Sequence, residues 1–161
     1  MRATEYERPL LRPQGFGRGL VTASKTHARL RHAGLAARVM SAEDAAALIP
    51  HGATIGMSGF TGSGYPKAVP VALAARAEAE HAQGRPFRVR VLTGASTGPE
   101  LDGALARADG IEFRLPYNSD PILRERINRG EMDYVDMHLR QVAPMVWEGL
   151  YGELDFAVVE I

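Results

Sequence analysis

The chain of 161 residues has no cysteine. That excludes disulfides, thiolate metal sites and a cysteine nucleophile. It has no apolar run near the roughly 18 residues of a membrane span. It has no net charge, with 19 basic and 19 acidic side chains, so nothing global points to nucleic acid or an anionic membrane. What is present is ordinary for a soluble globular protein: 45% hydrophobic and 24% charged residues. The length suffices for one domain with a proper core. This profile fits a cytoplasmic enzyme or binding domain better than a mitochondrial one.

The balance of charge is uneven along the chain. Residues 1–40 carry eight Arg or Lys against two acids, Glu5 and Glu7; the rest carries eleven basic and seventeen acidic side chains. Residues 1–24 hold Pro9, Pro13 and the stretch Gln14-Gly-Phe-Gly-Arg-Gly19, with no helix or strand period. They read as a disordered basic arm. An Arg-rich leader can be a transit peptide, but Glu5, Glu7 and the prolines oppose that. No interleaved aromatics support nucleic-acid binding by the arm. Residues 25–161 then form the domain.

Within it, strands and helices alternate. A short helix is expected over 25–39. Ser41-Ala-Glu-Asp44 is a capping box opening a helix that stops at Pro50. Strands are expected at about 53–58, 87–92, 111–115 and 154–161. Helices are expected at 66–83, 99–108, 121–128 and 141–150. Pro66 suits the first helical position, and Pro70 is tolerated in the first turn. Alternation of this kind predicts an α/β fold, with a parallel or mostly parallel open sheet and flanking helices. The last residues lie inside a strand pattern, which predicts an incomplete C-terminal end and a longer protein.

Three polar turns follow three strands, at the edge where such sheets bind ligands. The first is Gly59-Phe-Thr-Gly-Ser-Gly-Tyr-Pro-Lys67. A glycine loop between strand and helix can bring backbone and free N–H groups to an anion. Known nucleotide fingerprints fail here, however. A P-loop needs Lys and Ser or Thr after its last glycine, where this chain has Tyr65-Pro66. A dinucleotide fingerprint from Gly62 needs Gly or Ala where Lys67 stands. Ligand loop and tight turn therefore both remain open. The other turns are Thr93-Gly-Ala-Ser-Thr-Gly98 and Pro116-Tyr-Asn-Ser-Asp120. Their hydroxyls can hold a carboxylate or water or bond their own backbone. Thr61 can cap the loop or face a ligand, and Lys67 can clamp an anion or be solvated. Glu100, Asp102, Glu131, Asp133 and Asp136 read as solvated charges, and Asp120 as a structural turn residue. His51 and His138 have no partner at metal-ligand spacing and read as turn or surface residues. Met145 and Trp147 read as core or interface residues.

Four strings go further together. Ser58-Gly-Phe-Thr-Gly-Ser-Gly-Tyr-Pro-Lys67, Leu92-Thr-Gly-Ala-Ser-Thr-Gly-Pro99, Asn118-Ser-Asp120 and Arg126-Ile-Asn-Arg-Gly130 resemble the N-terminal part of the acetyl-CoA hydrolase/transferase family. These are class I CoA-transferases of the acetate and succinate type. The resemblance runs from about Arg38 to Ile161. It implies a two-half α/β protein that moves CoA from an acyl-CoA to a carboxylate. A glutamate in the second half, beyond this chain, is the implied nucleophile. It forms an acyl-glutamyl anhydride and then a glutamyl-CoA thioester. Water in place of the carboxylate gives hydrolysis, the alternative activity. A third reading is an inactive fragment or stand-alone acyl-CoA-binding module. The implied substrate-binding residues are Gly59, Phe60, Thr61, Gly62, Gly64, Ser96, Asn118 and Ser119. Ser119 stands where the family commonly has Thr. No catalytic or metal-binding residue and no cofactor is implied in this chain, since coenzyme A enters as a substrate thioester. The implied partners are acyl-CoA, a small carboxylate and the C-terminal half, with a homodimer of the full-length protein.

Overall fold

The computed structural model describes residue 30 and residues 32–160. The basic arm, and residues 25–29 and 31 of the helix expected over 25–39, lie outside these residues. In the described remainder of that stretch the helix is shorter than expected, a single turn α1 (Ala33–Ala36). Helix α2 (Ala42–Ala47) starts at Ser41, whose hydroxyl accepts the Asp44 N–H at 3.0 Å. Strand β1 (Thr54–Met57), helix α3 (Ala68–Ala82) and strand β2 (Val89–Leu92) follow. A π-helical turn (Pro99–Gly103) runs into α4 (Ala104–Arg107), then β3 (Ile111–Leu115) and α5 (Pro121–Asn128). Strand β4 (Asp133–Tyr134), helix α6 (Leu139–Trp147) and strand β5 (Phe156–Val158) complete the order.

The five strands form one parallel sheet in the order β4-β3-β2-β1-β5. The α/β reading with an open parallel sheet is correct. Two details differ. Strand β4 is absent from the sequence expectation, because two residues carry no period of their own. Helix α3 begins at Ala68, so Pro66 lies before the helix rather than at its first position, while Pro70 does fall in the first turn.

Alternation along the strands divides the apolar residues between two faces, with a register shift after Ile111 that turns Phe113 and Leu115 of β3 to the face opposite Ile111. Ile55, Val89, Val91 and Ile111 meet Leu73 and Ala77 of α3, Leu105 of α4 and Leu123 of α5. Alanines suit α3 doubly: they favour helix, and Ala77, fully buried, lets the helix lie close to the sheet. Arg76 ties α3 to α2, its Nη1 donating to the Ala46 and Ile49 carbonyls at 2.6 Å each. These carbonyls lie at and just beyond the C-terminal end of α2, where helix carbonyls run out of regular partners. The other face carries Leu92, Phe113 and Leu115, packed against Val135, Val142, Val146 and Tyr151.

Handedness explains why α6 is on this second face. From β1 to β4 the chain steps one way across the sheet. From β4 to β5 it steps back the other way. Right-handed crossovers then require α6 on the opposite side from α3, α4 and α5.

Candidate functional site

The reversal between β1 and β5 makes a topological switch point, and open α/β sheets bind ligands outside the strand ends there. Three turns gather at this edge, after β1, β2 and β3.

The first turn is a tight hairpin. Phe60 and Ser63 exchange N–H···O bonds of 2.9 and 3.0 Å. Between them Thr61 (φ 47°) and Gly62 (φ 81°) both take positive φ, as the two central residues of a type I′ turn do. The Ser58 hydroxyl donates to the Gly64 carbonyl at 2.6 Å and closes the loop. Phe60 is 56% exposed, and Thr61, Gly62 and Gly64 are exposed with it.

The glycine-rich character of these turns answers to packing between them. A Cβ on Gly94 would lie 2.6 Å from the Gly59 carbonyl oxygen, and one on Gly98 would lie 2.1 Å from the Tyr65 hydroxyl. First and second turns therefore touch backbone to backbone. Tyr65, buried in this contact, donates its hydroxyl to Glu100. That bond, with burial, pushes the phenol up to about 12 and holds the Glu100 carboxyl below its usual range.

The anion-binding reading of the first loop also meets a specific answer. The backbone N–H groups of Lys67, Ala68 and Val69 all donate to the Glu160 carboxylate, each at 2.7 Å. The start of α3 therefore holds an anion that the chain itself supplies from beyond β5. Lys67 places its Nζ 5.2 Å from the Tyr65 ring centroid.

The second and third turns are built on a buried ion pair. Asp102 and Arg114 are each 0% exposed. Arg114 Nε donates to Asp102 Oδ1 at 2.9 Å, and its Nη2 to Oδ2 at 3.2 Å. The same guanidinium donates to the carbonyls of Ala95 and Leu115, while Asp102 Oδ2 accepts the Thr97 N–H at 3.0 Å. One pair thus fixes the second turn, the helix start after it and the end of β3. This corrects the reading of Asp102 as a solvated charge. An acid in a helical first turn has an exposed charge's local signature, and its partner is twelve residues away on a strand.

Ser96, Asn118 and Ser119 come together on this frame. Ser96, 3% exposed, has its Oγ 2.6 Å from the Ser119 Oγ and accepts the Ser119 N–H at 3.0 Å. Asn118, also 3% exposed, accepts the Asp120 N–H on Oδ1 at 2.8 Å. Asn118 Nδ2 and Thr97 Oγ1 are buried and have no hydrogen-bond partner among the described residues. Buried polar groups are nearly always paired, so an orphan amide donor on the residue before Ser119 is free for a polar ligand such as a carboxylate. Sequence reasoning misses Thr97, which reads there as one more hydroxyl in a turn.

The remaining residues take structural places. Asp120 caps α5, accepting the Ile122 and Leu123 N–H groups at 3.0 Å each. Arg126 donates to the Ala106 carbonyl and pairs with Asp109 and Glu131. His51 accepts the Arg88 N–H at 3.0 Å, and His138 caps α6. Trp147 is 90% exposed, so it is no core residue. No group of three or more His, Asp or Glu able to hold a metal occurs among the described residues. None of their helices is long and apolar enough to cross a membrane.

Known proteins share this sequence and this fold. The chain is 44% identical over 121 residues to a propanoyl-CoA:succinate CoA transferase of Escherichia coli, covering 75% of this chain and 25% of that protein. It is 39% identical over 135 residues to a succinyl-CoA:acetate CoA-transferase of Clostridium kluyveri, covering 84% and 24%. It is 34% identical over 139 residues to an acetyl-CoA hydrolase of Saccharomyces cerevisiae, covering 82% and 26%. The chain thus spans about a quarter of the length of the curated relatives it matches. Among solved structures, a variant of the decarboxylase AibA/AibB shares the fold, with a TM-score of 0.52 at 19% identity over 68% of this chain and 42% of that one. The family model of the acetyl-CoA hydrolase/transferase N-terminal domain matches residues 24–161. By its sequence, the chain belongs to the acetyl-CoA hydrolase/transferase family and carries its N-terminal domain.

Proposed function

We propose that this chain is the N-terminal part of an acyl-CoA:carboxylate CoA-transferase, using acetyl-CoA or succinyl-CoA with acetate or succinate. The observation that carries the reading is the cluster of Ser96, Ser119 and the unpaired Asn118 Nδ2 at the sheet's ligand edge. Its chemistry suits a carboxylate: hydroxyl and amide donors, held by a buried ion pair rather than by their own turns alone. In this reading the tip of the first turn, from Gly59 and Phe60 through Gly64, contributes from the same sheet edge.

The reaction divides into balanced exchanges. A glutamate carboxylate, from the part of the protein outside this chain, attacks the thioester carbonyl and CoA thiolate leaves, giving a mixed anhydride. The thiolate then attacks the glutamyl carbonyl, which releases the donor carboxylate and leaves a glutamyl-CoA thioester. The acceptor carboxylate reverses these steps and restores the glutamate. The residues of this chain bind and orient the carboxylates. Backbone N–H groups near the reacting carbonyl stabilise its oxyanion.

A hydrolase reading has its own support, since several relatives are acetyl-CoA hydrolases. The two differ only in whether water or a carboxylate attacks the glutamyl thioester. The test is to incubate the complete gene product with acetyl-CoA and succinate, and to repeat it after replacing its second-half glutamate. Transfer predicts succinyl-CoA formation that the replacement abolishes. Exchange undiminished by the replacement overturns the mechanism. The 161-residue chain by itself is expected to show no turnover.

A further inference from the structure

The second turn is gripped by the first at both of its ends. At one end the Gly59 carbonyl oxygen stands 2.6 Å from the place of a Cβ on Gly94. At the other the Tyr65 hydroxyl rests on Gly98 and donates to Glu100, in the π-helical turn that follows. Between these points a Cβ on Gly59 would meet the Thr97 methyl and the Tyr65 Cβ, each at 2.8 Å. Ser96 lies in the span so held. Tyr65 is 8% exposed, and Pro66 after it is buried. The Lys67 ammonium, over the Tyr65 ring, lends its charge to the Glu100 carboxylate. The Tyr65-Pro66-Lys67 end of the first glycine string thus serves this contact.

We propose that Tyr65 is a positioning residue for the acyl and carboxylate group: acting through Gly98 and Glu100, it sets where Ser96 stands and so how long an acyl chain the site accepts. The inference rests on the reading in which Ser96 and Ser119 hold the carboxylate. Both hydroxyls follow the second turn, because Ser96 Oγ accepts the Ser119 N–H and lies 2.6 Å from the Ser119 Oγ. A phenol–carboxylate bond suits this task better than an apolar contact, since it is directional and fixes a distance. Small displacements matter at such a site. A misplacement of about 1 Å can cost about 100-fold in rate, and one methylene of substrate is worth about 10–200-fold in discrimination.

The test uses the complete gene product and the ratio of kcat/KM for acetyl-CoA over butanoyl-CoA. Disappearance of the starting acyl-CoA is followed by chromatography with succinate present, which registers transfer and hydrolysis alike. Tyr65→Phe and Glu100→Ala should each lower the ratio at least about fivefold, with Tm down by no more than about four degrees. Glu100→Gln, whose side-chain carbonyl can still accept the phenol, should stay near the unsubstituted ratio. The double variant Tyr65→Phe/Glu100→Ala should match the single ones, because both remove the same bond. An unchanged ratio in Tyr65→Phe overturns the proposal, whether the two rates are kept or fall together. So does a double variant whose losses add. Ser119→Ala separates this inference from the reading beneath it. If it leaves the KM for succinate unchanged, the carboxylate reading fails and the proposal with it. If it raises that KM while Tyr65→Phe leaves the ratio alone, the role of Tyr65 fails by itself.

Discussion

Both oxygens of the Asp102 carboxylate are committed, to Arg114 and to the Thr97 N–H. Removing a partner from a buried pair leaves an uncompensated charge, which costs about 3–5 kcal/mol. Asp102→Ala should therefore lower the unfolding free energy by about that amount in a urea titration, and the Ser96–Ser119 hydrogen bond should break with it. Replacing both members, as Asp102→Leu with Arg114→Met, should recover much of the loss, because an apolar pair of similar volume needs no counter-charge. Tyr65 offers a second test at this scale. Its folded pKa, raised to about 12 from 10.0 chiefly by the bond to Glu100, means that the neutral phenol is favoured by folding. Its contribution to stability is full below pH 10 and is lost as pH rises toward 12. An ultraviolet titration should show a late-ionising tyrosine that disappears in Tyr65→Phe. Glu100→Gln should shift it back toward the ordinary value. Burial also raises Tyr134, so the comparison with Tyr65→Phe is what assigns the signal.

At the scale of elements, the turns behave as one packed unit. Gly94→Ala forces a methyl against the Gly59 carbonyl. Overpacking of this kind costs about 1–3 kcal/mol, and thermal unfolding should show it although alanine fits an ordinary backbone at that position. Glu160→Ala should lower Tm too, and should speed amide exchange at Lys67, Ala68 and Val69, whose N–H groups lose their acceptor. These bonds also mark where sequence is legible. Capping at Ser41, the alanine-rich α3, the alternating strand Val89–Leu92 and Asp120 before Pro121 are local signals, readable within four or five residues. The α/β order and the ligand edge follow from them. Glu160 is not readable as an N-terminal cap, because its donors lie more than ninety residues earlier. Asp102 is misread for the same reason on a smaller scale. Asn118, Ser96 and Ser119 stand out by likeness to a family. Their meeting depends on Arg114, which sequence presents as one of the charged residues of a strand.

For the whole molecule, the parallel sheet puts its ligand edge, its buried ion pair and its capped helix start at one end. Relatives of about four times the matched length include CoA-transferases and acetyl-CoA hydrolases. The most direct measurement is the fate of CoA when the complete gene product consumes acetyl-CoA, with succinate present and absent. Transfer with Ser96 and Ser119 holding the carboxylate, as proposed, predicts succinyl-CoA and acetate in equal amounts with little free thiol, and a raised KM for succinate in Ser119→Ala. Free CoA released at the same rate with and without succinate would contradict it.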